Sequence, residues 1–137
     1  MARHVVARAD EIQPGERKRV TAGGRAIAIF NVDGELFAIR DRCPHQGASL
    51  CGGQVLGWVE SDGPGDYRHT GTNLVQCPWH GWEFDLRSGR SWFDPARMRV
   101  RAYPVAVERG RELLEGPYRA ETYPVAVDGD YVVVELG

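Results

Sequence analysis

The chain has 137 residues, a formal net charge of −2 and a hydrophobic fraction of 42%. That length suffices for one domain that buries its own core without disulfide staples. The charge gives no reason to expect nucleic acid, and no apolar run approaches the roughly 20 residues that a membrane span needs.

The start mixes Arg3 and Arg8 with Asp10 and Glu11, and no apolar stretch follows, so neither a secretory nor a twin-arginine signal is expected. Residues 2–9, with Val5 and Val6 at their centre, predict a first strand. Pro14-Gly15 marks a turn. Residues 17–20 lead to Gly23-Gly24, and residues 26–32 (AIAIFNV) predict a mostly buried strand. Asp33-Gly34 is the strongest hairpin signal in the chain, returning through residues 35–39. Residues 54–59 predict a short strand. Residues 61–72 (SDGPGDYRHTGT) are polar and turn-rich, which predicts a hairpin tip or a mobile loop. Residues 73–76 and 83–86 read as strands before and after a second turn. Residues 97–102 alternate at period 2, a half-buried strand. Residues 103–107 (YPVAV) recur at 123–127, too few copies for a repeat architecture, and both predict strands that begin at a proline. The last strand is expected over residues 131–136. Short strands joined by Gly and Asp turns make this an all-β chain.

The chemistry concentrates in two boxes, Cys43-Pro-His45 and Cys77-Pro-Trp-His80. Each supplies one thiolate and one imidazole from a tight turn, and Gly47 and Gly81 follow closely. Two such turns facing one another give a Cys2His2 pocket. Zinc accepts that donor set, but its common arrangement puts both cysteines on one arm and both histidines on the other. Here each arm carries one of each, which suits a two-iron cluster with both thiolates on one iron and both imidazoles on the other. Two ferric ions, two sulfides and two thiolates sum to zero charge, so uptake of one electron leaves a single negative charge to solvate.

Over residues 43–53 (CPHQGASLCGG) and 77–89 (CPWHGWEFDLRSG) the chain resembles the Rieske 2Fe–2S proteins of the bacterial ferredoxin and ring-hydroxylating oxygenase type. The resemblance implies an all-β Rieske fold: a single domain over 1–137 with an antiparallel base and an inserted cluster-binding subdomain at about 41–95. It implies Cys43 and Cys77 on the inner iron and His45 and His80 on the outer iron. It also implies a cytoplasmic one-electron carrier between a flavin- or NAD(P)H-linked reductase and a terminal oxygenase, with no catalytic residue of its own. Residues 58–75 look like an insertion relative to the family. In its quinol-oxidising members, a serine two residues past the second-box histidine and a tyrosine four past it donate hydrogen bonds to cluster sulfurs. Trp82 and Phe84 stand there, which implies a low potential. An accessory subunit of a reductase such as nitrite reductase, and a zinc-stabilised interaction module, are the alternatives.

A catalytic oxygenase subunit would need a second, mononuclear iron on two histidines and a carboxylate, and only His4 and His69 remain. Both are expected to be surface histidines. The third cysteine, Cys51, has no disulfide partner in the second box, where Trp79 stands, and is expected to be a small loop residue beside the cluster. The odd cysteine count points to a reducing compartment. Trp79, Trp82, Phe84 and Trp92 are expected to pack around the centre. Arg97, Arg99 and Arg101 share one strand face, read as solvated decoration or as a docking stripe for an acidic partner.

Overall fold

The structure is a computed structural model that describes residues 2–44, 49–63, 66–78, 83–91, 99–115, 125–126 and 128–136. Three antiparallel sheets form it. The first has the order β1 (Ala2–Arg8), β10 (Asp130–Leu136), β9 (Val105–Arg109). The second runs β2 (Arg17–Ala22), β3 (Arg25–Val32), β4 (Glu35–Arg40), β8 (Ala102–Tyr103). The third, β5 (Gln54–Gly63), β6 (Asp66–Gln76) and β7 (Glu83–Asp85), is built from the chain between β4 and β8.

The turn chemistry sets the register of the second sheet. Asp33 and Gly34 both have positive φ, 53° and 93°, as a two-residue hairpin loop that follows the strand twist requires. Val32 therefore lies opposite Glu35, and Phe30 opposite Phe37. The Asn31 side chain braces the turn, accepting from Gly34 N–H at 2.8 Å and donating to Ile12 O at 2.8 Å.

Strand β3 is buried on both faces, and its alternation divides the molecule into two cores. Ile27 and Ile29 face one way, packing with Val6, Val20, Ala38, Val132 and Val134 between the first two sheets. Ala28 and Phe30 face the other way. They join Phe37, Ile39, Leu50, Val75, Phe84, Leu86 and Val100 in a core that also contains Cys43 and Cys77. Burying one such large side chain contributes about 1.5–3 kcal/mol relative to leaving it exposed. The centre of the second sheet is thus both the floor of the base and the floor of the site.

The polar stretch 61–72 closes the β5–β6 hairpin, as the hairpin-tip reading expected, with Val59 opposite His69, Ser61 opposite Tyr67 and Gly63 opposite Asp66, and 64–65 lie outside the described residues. Two local expectations change. The two YPVAV segments differ: the first contributes to β8 and β9, whereas Val125 and Ala126 are irregular. Ala126 N–H donates to the Tyr131 hydroxyl at 2.7 Å, and Gly129 N–H donates to Ala126 O at 3.1 Å, so this segment is held as a turn. Finally, Gly110–Glu115 forms a short helix that no periodicity announced. Its Leu113 covers Val5, Tyr131 and Val133 on the outer face of the first sheet. No helix among the described residues is long and apolar enough to cross a membrane.

Candidate metal centre

The first box hangs from the end of β4 on a buried carboxylate. Asp41 N–H donates to Ala26 O at 2.9 Å, so the residue after β4 is still tied to β3. The Asp41 side chain is fully buried, at 0% exposure. Its Oδ2 accepts from Arg19 Nε at 2.5 Å and from Ser49 Oγ at 2.7 Å, and its Oδ1 accepts from Cys51 N–H at 2.7 Å. One carboxylate therefore joins both ends of the loop that carries Cys43 and His45. Hydrogen bonds to an ionised group are shorter and stronger than neutral ones.

Strand β2 supplies both cations that hold this loop. Arg17 and Arg19 are two residues apart and so share a face. Arg17 Nη1 donates to Cys51 O at 3.3 Å and to Gly53 O, while its guanidinium lies 5.1 Å from the centroid of Phe30. The loop then closes on a glycine whose size matters. A Cβ on Gly53 would stand 2.1 Å from Gln76 O, so only glycine lets this backbone approach the residue before Cys77. That contact presses the end of the first loop against the entry to the second.

Both box cysteines consequently end in one core. Cys43 is 1% exposed and Cys77 is 2% exposed, among Phe30, Leu50, Phe84 and Leu86. None of the three cysteines is in a disulfide. Two buried thiols on two facing loops fit a centre that takes thiolate ligands, since an unligated buried thiolate is costly. His45 and His80 lie outside the described residues, as do Trp79, Trp82, Trp92 and Arg97. Phe84 is fully buried beside the thiols, as packing requires.

Cys51 sits at the edge of the same core, half-buried. Burial pushes its thiol pKa up and the Asp41 charge pushes the same way, with Arg17 and Arg19 opposing. A protonated thiol is a poor nucleophile and a poor ligand, which agrees with a small loop residue. His4 is half-buried on β1 opposite Val134, and the His69 side chain lies outside the described residues. Asp41, Arg17 and Arg19 are the functional residues that sequence reasoning missed. The available signal was an aspartate at a strand end two residues before a box, but nothing in the sequence pairs it with β2.

A family model described as the Rieske [2Fe-2S] domain matches residues 2–104. The chain is 35% identical over 105 residues to the biphenyl dioxygenase ferredoxin subunit of Pseudomonas sp. (strain KKS102), covering 77% of this chain and 83% of that one. Among solved structures, it is similar to the ferredoxin of Sphingomonas yanoikuyae B1, with 28% identity and a TM-score of 0.56 over 76% of this chain and 88% of that one. It also shares its fold with a chain described as the small subunit of an NADH-dependent nitrite reductase from Mycobacterium tuberculosis. That likeness has a TM-score of 0.65 at 22% identity, over 99% of this chain and 96% of that one.

Proposed function

The chain belongs to the Rieske [2Fe-2S] domain family, and from that premise we propose that it is a ferredoxin carrying single electrons from a reductase to a terminal oxygenase. It holds one Rieske-type 2Fe–2S cluster. When bound, such a cluster takes up and releases one electron at a time. The ligands in this reading are Cys43 and Cys77 on one iron and His45 and His80 on the other. The observation that carries it is the meeting of Cys43 and Cys77, 34 residues apart in the sequence, in one buried core over β3.

The protein's own contribution is to hold and to exclude. The Asp41 clamp fixes the first loop, and Gly53 fixes the second loop against it. Phe30, Leu50 and Phe84 keep water from the thiol side, and a dry surrounding shell is one of the levers on a cluster's potential. The similarity to a biphenyl dioxygenase ferredoxin subunit supports an oxygenase downstream and a flavin- or NAD(P)H-linked reductase upstream. The nitrite reductase alternative rests on fold likeness at 22% identity. We read residues 1–137 as one domain. Three cysteines outside disulfides support a reducing compartment, and we assign the cytoplasm on that ground.

Reconstitution tests the reading. NAD(P)H, a ring-hydroxylating-system reductase and its oxygenase are mixed with and without this protein, and substrate hydroxylation is followed. Turnover that depends on the protein supports it. A holoprotein that a reductase reduces but that passes electrons only to a nitrite reductase would move the assignment to the alternative.

A further inference from the structure

Arg40, at the end of β4, meets three arginines from the chain after the second box, Arg90, Arg99 and Arg101, on one face. The register that sets Ile39 opposite Ala102 continues through Arg40 N–H donating to Arg101 O at 2.8 Å, so Arg40 lies opposite Arg101. Arg90 pairs with Arg99, and Val100 N–H donates to Gly89 O at 2.8 Å. Opposed residues share a sheet face, and Arg99 and Arg101 are both exposed on either side of buried Val100. Arg40, Arg101, Arg99 and Arg90 therefore project on one side, and all four are exposed.

None of the four has an ion pair among the described residues. Nearby Arg87, by contrast, is paired with Glu35 at 2.7 Å. Arg101 only stacks its guanidinium 5.6 Å from the centroid of Tyr103. Like charges held opposite one another across strands repel, so the fold keeps this arrangement at a cost. It does so in a chain whose net charge is −2. The patch lies on the face of the second sheet away from the thiols, the face of Ala38 and Tyr103, and it nears the first box along the chain. Arg40 precedes Cys43 by three residues, a reach of at most about 11 Å. Arg90 accepts at its carbonyl from Asp85 N–H at 2.9 Å, which ties it to the strand leaving the second box.

We propose that Arg40, Arg90, Arg99 and Arg101 form the docking surface for an acidic face of a redox-partner protein. The proposal rests on the electron-carrier reading above and adds the chemistry of the partner. Four clustered charges match a patch of carboxylates, whereas an extended polyanion would meet repulsion from the rest of a net-negative chain. A complementary charged patch accelerates encounter and orients it, and salt weakens the effect.

The probe is a pair of protein oxidants with the same haem and opposite charge: cytochrome c and its succinylated form, whose lysines carry carboxylates. Dithionite-reduced holoprotein is mixed with each in a stopped-flow instrument across a range of salt. The wild type should reduce the succinylated form about tenfold more slowly at high salt than at low salt. The triple variant Arg90→Ser, Arg99→Ser, Arg101→Ser should invert that slope, as a net-negative protein without the patch must. An unchanged EPR spectrum shows that the variant keeps its cluster, and the single variant Arg99→Ser should lose part of the effect. A wild-type rate with the acidic probe that rises with salt, or a triple variant with the wild-type slope, overturns the proposal. Arginine-dependent retention on heparin or duplex DNA without salt-inhibited cytochrome reduction overturns it too, and reassigns the face to a polyanion. A holoprotein that reduces neither cytochrome removes the carrier reading itself.

Discussion

Asp41 is the residue whose loss should matter most outside the ligands. Its carboxylate is fully buried and accepts three side-chain or loop hydrogen bonds, from Arg19, Ser49 and Cys51. Hydrogen bonds to a charged group contribute about 1.5–3 kcal/mol each, but the three are not additive because two donors can find water once released. The Arg19 side chain is 59% exposed and rehydrates when its partner is gone, which reduces the cost. The Cys51 N–H is less accessible and keeps most of its penalty, about 1–3 kcal/mol. Asp41→Ala should therefore destabilise the fold by about 3 kcal/mol, lowering the apparent Tm by about 10 °C in a domain of this size. Arg19→Gln should cost about 2 kcal/mol, more than an exposed arginine ordinarily does, because it strands a buried carboxylate. Ser49→Ala should cost about 1 kcal/mol. Circular dichroism melts of the holoproteins at one fixed scan rate give the ranking, since cluster loss makes unfolding irreversible. Iron release to a chelator should quicken in the same order. An Asp41→Ala protein whose apparent Tm lies within about 2 °C of wild type and that holds its iron equally long would refute the clamp.

Two further outcomes follow from side chains in the same core. Phe84 is buried with Cys43 and Cys77 and offers no hydrogen-bond donor, so the wild-type potential should lie near the lower end of the Rieske range, about −150 mV. Phe84→Tyr should raise it in a redox titration, and a high positive wild-type potential would show that other donors control the centre. Burial first and the Asp41 charge second push the Cys51 thiol pKa up. Its protonated form is thus favoured by folding, a contribution fully present below the unfolded pKa and lost as pH rises through the folded one. Wild type should lose stability relative to Cys51→Ser above about pH 9, and iodoacetamide should label Cys51 more slowly than free cysteine at pH 8. Rapid labelling of folded holoprotein would contradict the burial argument.

The sequence was informative where local chemistry decides the structure. Asp33-Gly34 specified its hairpin because few residues tolerate positive φ in succession. The nearly unbroken apolar run of residues 26–32 marked a mostly buried strand, although which face held the site was not written there. The two boxes were legible because ligand chemistry demands specific residue types at short spacing. What stayed hidden depends on tertiary contacts. Asp41 looked like an ordinary loop acid until β2 brought Arg19 to it. The polar 61–72 segment was legible as a hairpin tip, but not the length of the two strands that meet there. Arg99 and Arg101 were visible as a stripe, but Arg40 and Arg90 joined them only through cross-strand register.

The most direct test of the whole account is the composition and ligation of the centre in purified holoprotein. Metal and sulfide analysis should give two irons and two acid-labile sulfides per chain, and reduced-state EPR with pulsed nitrogen spectroscopy should show two imidazole couplings. Cys43→Ser, Cys77→Ser, His45→Ala and His80→Ala should each lose or badly perturb that signal, while Cys51→Ser should leave it intact. One tightly held zinc per chain in protein made with ample iron, or loss of the cluster in Cys51→Ser, would contradict the ligand assignment and the function built on it.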